Sequence, residues 1–180
     1  MNFDLPKKAT LIEVGPRDGF QFESKLIPTE LKARIIKDMI EAGITHIQAT
    51  SFVHPKKTPQ MADAERLLEI LPRKDGVVYI GLVLNVKGVQ RAAAAGLTHV
   101  EVSISSSDAH SRHNAGMPLS KAISEAEKMI DAAKSHDMHV RAGVQCSFGC
   151  FYDGEIGPDH VLKIVEGYLE RGVDVICLSD

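Results

Sequence analysis

The chain has 180 residues, 44% of them hydrophobic and 25% charged, with a formal net charge of −3. This is ordinary globular composition for one domain or for part of a larger one. Lys and Arg are interspersed among acids and no apolar stretch approaches the roughly 20 residues of a membrane span, so neither nucleic acid nor membrane is an expected partner.

The opening segment 1–8 lacks the apolar core of a signal peptide. Cys146, Cys150 and Cys177 form no disulfide framework and suit a reducing compartment, so the expected location is cytoplasmic.

The first apolar run, 9–12, overlapping a strand expected over 10–14, leads into Glu13-Val14-Gly15-Pro16-Arg17-Asp18-Gly19-Phe20-Gln21. An Arg-Asp pair thus emerges where a buried strand ends. A carboxylate can hold a divalent cation, and a guanidinium can stabilise a developing oxyanion. An isolated Arg-Asp dipeptide would read as a surface ion pair, but Gly15-Pro16 and Gly19 fix a turn of defined shape around this one.

Thr29 is the expected N-cap of a first helix, on which Leu31, Ile35, Ile36, Met39 and Ile40 share one face. A strand at 46–50 follows, then a helix carrying Ala64, Leu67, Leu68 and Leu71. The strand at 77–84 leads to a small-sided helix built on Val89, Ala92 and Ala93. After the strand at 99–104 comes a polar loop containing His110 and His113. A fourth helix, capped by Ser120, then buries Ile123, Ala126, Ile130 and Ala133. The strand at 139–145, a fifth helix with Val161, Leu162, Val165, Tyr168 and Leu169 on one stripe, and a strand at 173–178 complete the series.

Six strands alternate with five helices, and the strands are Val- and Ile-rich rather than cleanly alternating, as in a parallel sheet covered on both faces. A (β/α)8 TIM barrel needs eight such units and typically ~250 residues. Residues 1–180 therefore read as a single partial barrel domain, or as a smaller open α/β sheet.

One junction recurs at Ala42-Gly43-Ile44-Thr45-His46-Ile47, at Ala95-Gly96-Leu97-Thr98-His99-Val100 and at Arg171-Gly172-Val173-Asp174-Val175-Ile176. In each, a left-handed Gly can end a helix just before a strand. His46 and His99 then lie at the entering ends of strands, the barrel bottom, where a structural role is expected.

Chemistry belongs at the opposite ends. The strand exits offer Arg17, Asp18 and Gln21; Gln48, Thr50 and Ser51; Asn85; Ser103 and 105–107; 145–147; and Ser179 with Asp180. Six polar exits in succession predict a polar cleft on one face. His110 with His113, and His136 with His139, have His-x-x-His spacing. Zinc, however, needs three or four converging ligands, and a His pair on a polar loop is more simply solvated. Cys146 and Cys150 have no basic neighbours in sequence to depress a thiol pKa and read as structural.

The Arg17-Asp18 string resembles the opening strand of the hydroxymethylglutaryl-CoA lyase branch of the DRE-TIM metallolyases. Further motifs follow in order. Thr50-Ser51-Phe52-Val53 with Pro55-Lys56 and Pro59-Gln60-Met61 is similar to that family's second strand and loop, and Asn85 with Lys87-Gly88 to its third strand exit. The Asn114 region, Cys146-Ser147-Phe148-Gly149-Cys150 with Tyr152, Gly154 and Pro158, and Leu178-Ser179-Asp180 match its later loops. Gly-Pro before Arg17 favours the lyase branch over the condensing synthases, which usually carry an acid at the position of Phe20.

The resemblance implies a metal-dependent carbon–carbon lyase that cleaves a 3-hydroxy-3-methylglutaryl-CoA-like acyl-CoA to acetyl-CoA and a keto acid. By it, Asp18 is a ligand of a catalytic Mg²⁺ or Mn²⁺, Arg17 stabilises the enolate, Gln21 and Gln48 orient the site, and Asp180 is an acid near the metal. Ser51, Asn85 and Asn114 fall on the acyl-CoA side, and a homo-oligomer, a dimer, is expected.

Two departures stand out. Gln48 replaces a Glu that interacts across the site, so Gln48→Glu is expected to raise activity. Cys177 replaces a common Ser. The family's remaining metal ligands, including a His-x-His pair, have no counterpart in this chain. The alternatives are a condensing synthase of the same superfamily, or an inactive partial barrel acting as a binding module.

Overall fold

The structure is a computed structural model that describes residues 5–180; of the segment 1–8 read above, the first four residues lie outside it. Six strands form one sheet: β1 (Ile12–Glu13), β2 (His46–Ser51), β3 (Val78–Val83), β4 (His99–Ser105), β5 (His139–Gln145) and β6 (Val175–Leu178). They pair in chain order and every pair is parallel. Consecutive parallel strands joined by helical crossovers are the arrangement of a (β/α)8 barrel, of which this chain forms a part.

The sheet is concave. Gln48 on β2 reaches Glu101 on β4 at 2.7 Å, across the intervening β3. Alternate strands in a flat sheet stand about 9–10 Å apart, so such a contact needs long side chains leaning together over a curved floor.

Seven α-helices occur among the described residues, two more than expected: α1 (Asp18–Gln21), α2 (Thr29–Glu41), α3 (Ala64–Ile70), α4 (Val86–Ala94), α5 (Asp108–Ala115), α6 (Leu119–Ser135) and α7 (Pro158–Glu170). None is long and apolar enough to cross a membrane.

The unexpected α5 occupies the supposed polar loop. The Ser107 side chain accepts from His110 N at 2.9 Å to cap its start, and Gly116 ends it at φ 71°. It lacks an apolar stripe, only Ser111 being buried, which is why periodicity missed it.

Two expected caps are wrong. Thr29 is the first helical residue after Pro28, and its hydroxyl donates to Asp63 Oδ2 at 2.7 Å instead. Likewise α6 starts at Leu119 behind Pro118, so Ser120 lies inside its first turn. A proline holds φ near −65° without needing to donate, which suits both helix starts. On α7 the buried stripe is Val161, Ile164 and Tyr168, while Leu162 and Leu169 are exposed. Strand β1 is two residues rather than five, because the Val14 carbonyl turns back to accept from Arg17 N and Asp18 N.

The recurring glycine junctions fold alike. Gly43, Gly96 and Gly172 have φ of 97°, 73° and 70°. In each the following residue's N–H returns to the helix: Ile44 to Met39 O at 3.0 Å, Leu97 to Ala92 O at 3.1 Å, and Val173 to Tyr168 O at 3.3 Å. That is the Schellman closure, and it sets each chain direction into the next strand.

The core lies between the sheet's convex face and the helices. Val100, Val102 and Ile104 of β4 and Val140, Ala142 and Val144 of β5 belong to it, with Ala126, Ile130 and Ala133 of α6. Of the residues between them, Glu101, Ser103, Arg141 and Gln145 bond to one another or to β2 on the concave side, and the Ser105 hydroxyl accepts from Ser107 N. These two strands therefore do alternate, contrary to expectation, because the inner face of the sheet is polar.

Candidate active site

A cleft of ≈ 330 Å³ opens at the strand exits, lined by Arg17, Asp18, Gln21, Ser103, Ser105, His110, Asn114 and Gln145 among others. Its volume is at the lower end of small-molecule sites. Two other cavities, of ≈ 190 Å³ beside residues 73–79 and ≈ 320 Å³ between α6 and α7, gather no strand-exit groups.

Arg17 sits on the turn after β1, where Gly15 N is held by Glu13 Oε1 at 2.6 Å and Asp18 N by Val14 O at 2.7 Å. Its guanidinium is gripped twice. Nε donates to Gln48 Oε1, and Nη1 donates to Asp18 Oδ1 at 2.5 Å. The Arg17 side chain is 15% exposed and that of Asp18 is 51% exposed, so the pair spans from cleft wall to solvent.

Gln48 is fully buried beneath Arg17 and donates from Nε2 to Glu101 Oε2 at 2.7 Å. Glu101 also accepts from Arg141 Nη1, and Arg141 Nη2 donates to Cys177 Sγ at 2.8 Å. A continuous chain of polar contacts therefore crosses the concave face from Asp18 to Cys177.

Sequence reasoning missed Glu101 and Arg141. The available signal was a charged residue in the third position of two strands that both open His-Val; the two residues pair in register on neighbouring strands.

The other expected site residues divide. Gln21 and Asn114 line the cleft with Arg17 and Asp18. Ser51 is buried at the end of β2, and its Oγ has no hydrogen-bond partner among the described residues. Asn85 is occupied as the N-cap of α4, its Oδ1 accepting from Gly88 N at 2.8 Å. Asp180 lies outside the cleft lining, near enough to Cys146 that its charge helps raise that thiol's pKa.

Burial is the main cause of the Cys146 rise. Cys150 shifts the other way, lowered chiefly by Ser107, whose hydroxyl is 3.0 Å from its sulfur. Ser107 also donates to Asp153 Oδ2 at 2.6 Å, so the β5–α7 loop is tied to the start of α5. His110 and His113 both face the Tyr152 ring, at centroid distances of 6.3 and 5.2 Å.

Among the described residues, Asp18 is the one carboxylate in the cleft lining, and no group of three or more His, Cys, Asp or Glu converges as a metal site. A hard divalent cation takes about six oxygen ligands, of which carboxylates carry the charge, so these residues supply one charged ligand and do not make a site by themselves.

Comparison with known proteins agrees with this geometry. The HMGL-like family matches residues 8–180. The mitochondrial hydroxymethylglutaryl-CoA lyase of Macaca fascicularis is 36% identical over 176 residues, which is 98% of this chain and 54% of that protein. The 3-hydroxy-3-isohexenylglutaryl-CoA/hydroxymethylglutaryl-CoA lyase of Pseudomonas aeruginosa is 34% identical, over 98% of this chain and 59% of its own length.

The crystal structure of hydroxymethylglutaryl-CoA lyase from Pseudomonas aeruginosa superposes with a TM-score of 0.93 at 34% identity, over 99% of this chain and 59% of that one. An HMG-CoA lyase from Acinetobacter baumannii, solved with coenzyme A and 3-methylmalate, gives 0.87 at 31% identity, over 94% of this chain and 55% of that one. The chain thus spans between half and three fifths of these relatives. With a match over almost all of its length, and with Arg17 and Asp18 together at the mouth of a partial barrel, the chain belongs to the HMGL-like family.

Proposed function

We propose that the protein containing this chain is a carbon–carbon lyase that cleaves a 3-hydroxy-3-methylglutaryl-CoA-like thioester to acetyl-CoA and a keto acid. The observation that carries this is the Arg17 guanidinium, held at the cleft mouth by Gln48 and Asp18. In such a cleavage a base removes the tertiary hydroxyl proton, the hydroxyl carbon becomes a carbonyl, and the carbon–carbon bond breaks. Its electrons pass to the thioester, whose oxygen becomes an enolate before the carbon is protonated. A fixed cation beside that oxygen stabilises the charge as it develops.

Arg17 is the group here with the right charge and placement. Gln21 and Asn114, which line the same cleft, are assigned to orient the substrate in this reading, and the buried hydroxyl of Ser51 lies at the end of the neighbouring strand. Metal dependence would enlist Asp18 with ligands from outside these residues; a divalent ion bound there would supply further positive charge. We place the protein in the cytoplasm and expect it to act as a dimer.

The test is to incubate the protein with 3-hydroxy-3-methylglutaryl-CoA and divalent metal, and to follow acetyl-CoA and keto acid by mass spectrometry. Both products should accumulate in equal amounts. Free CoA released from acetyl-CoA with a 2-oxo acid, and no cleavage, would replace this reading with a condensing synthase.

A further inference from the structure

On sequence alone, Gln48 leaves Arg17 without a negative charge across the site. The structure supplies that charge from another strand. Glu101, 7% exposed and midway along β4, accepts from Gln48 Nε2 at 2.7 Å and from Arg141 Nη1. One buried carboxylate thus stands between two guanidinium groups. It touches Arg141 directly, and it reaches Arg17 through an amide.

A glutamine has one donating end and one accepting end, and its neighbours decide which way round it lies. Ionised Glu101 can only accept and Arg17 can only donate, so both demand the same orientation of Gln48. The amide oxygen is then aimed at Arg17 Nε, and Asp18 takes Nη1 at 2.5 Å. The guanidinium plane is held on two sides.

We propose that Glu101 is a positioning residue for Arg17. Through Gln48 it fixes the direction of the guanidinium at the cleft mouth, and it carries the charge that a Glu at position 48 would otherwise supply. The effect on turnover rests on the lyase reading; the effect on Arg17 does not.

This reverses the expectation that Gln48→Glu raises activity. A second carboxylate against Glu101 in a buried site cannot ionise freely beside the first. The charge-swapped pair Gln48→Glu with Glu101→Gln, by contrast, leaves every group a partner. The amide moved to β4 would donate to the carboxylate moved to β2 and accept from Arg141, while that carboxylate would pair with Arg17.

The experiment compares wild type, Glu101→Gln, Gln48→Glu and the swap. It reads hydrogen exchange at Arg17 Nε–H by NMR, together with kcat and KM for thioester cleavage. In Glu101→Gln the middle amide loses its fixed orientation, so exchange should quicken at least about tenfold. There kcat should fall by about tenfold to a hundredfold with KM little changed, as for supporting and misaligned groups elsewhere. Gln48→Glu should also lose activity, and the swap should restore both readouts to within a few-fold of wild type. If Glu101→Gln does not fold, Glu101→Asp keeps the charge but shortens its reach, and should still quicken Arg17 exchange.

Unchanged Arg17 exchange and kcat in a folded Glu101 variant would overturn the proposal, as would a folded swap that restores neither. A wild type that turns nothing over, while the swap restores exchange protection lost in Glu101→Gln, would sink the lyase reading and leave the role of Glu101 intact.

Discussion

Arg17 offers three nitrogens, and two are engaged by the protein, Nε by Gln48 and Nη1 by Asp18. A cation fixed in this way acts on charge that develops during reaction more than on the resting substrate. Arg17→Gln in the active protein should therefore lower kcat by about a hundredfold to a thousandfold while KM moves little; a change in KM alone would make Arg17 a binding group. Ser51 poses a different question. Its buried hydroxyl has no partner among the described residues, and such a group left unpaired costs roughly 1–3 kcal/mol. Ser51→Ala should then hold or raise stability by up to about 1 kcal/mol in urea unfolding, and lower turnover if the hydroxyl waits for substrate. Loss of stability would show that the hydroxyl already has a partner in the folded chain. At this scale Arg17, Asp18, Gln21 and Asn114 are legible in the sequence, because strand exits and family motifs mark them. Glu101 and Arg141 are not, because a single charge inside a Val-rich strand blends into an apolar run, although its burial demands a partner of opposite sign.

Helices are legible wherever a stripe of apolar residues meets a glycine terminator, as in α2, α4 and α7, and not where the stripe is missing, as in α5. The start of α4 is a different case. Its strand exit marks Asn85 as a substrate group, yet its Oδ1 already accepts from Gly88 N at 2.8 Å. Asn85→Ala should cost about 0.5–2 kcal/mol of stability, the range for N-cap loss, and Asn85→Asp should recover most of it. Turnover lost in Asn85→Asp at full stability would instead give Asn85 a direct part in binding. The loop before α2 is held in a way no local pattern announces. Gln60, 4% exposed, donates from Nε2 to Glu23 O at 2.8 Å and to Lys25 O at 2.6 Å, and accepts from Ile27 N at 3.1 Å. Beside it Lys32, 2% exposed, donates to Gln60 O and to Asp63 Oδ1 at 2.8 Å. Each of these contacts joins segments far apart in the chain, so they belong to tertiary structure and cannot be read from spacing.

Viewed as a whole, the molecule separates two polar layers along its strands: the groups that line the cleft at the exits and histidines at the entrances. His99 and His139 pair in register on β4 and β5, and their rings stack at 4.8 Å and 11°. His46 lies near enough to act on His99, and Asp174, which pairs with Lys134 at 2.5 Å, stands 3.6 Å from His139. Burial, foremost, and then the charges that His139 and His46 would carry push the His99 pKa below its ordinary 6.5, while Asp174 pulls weakly the other way. The unfolded chain therefore takes up a proton at His99 more readily than the folded one. Stability is full above the unfolded value of about 6.5 and is lost as pH falls through the lower folded value. The urea midpoint should thus drop between pH 7.5 and pH 5, and His99→Asn should flatten that part of the profile, whatever its effect at pH 7.5. A profile that rises on acidification, or that is unaltered by His99→Asn, would mean that Asp174 dominates the stack and that the barrel floor gains from the protonated imidazoles.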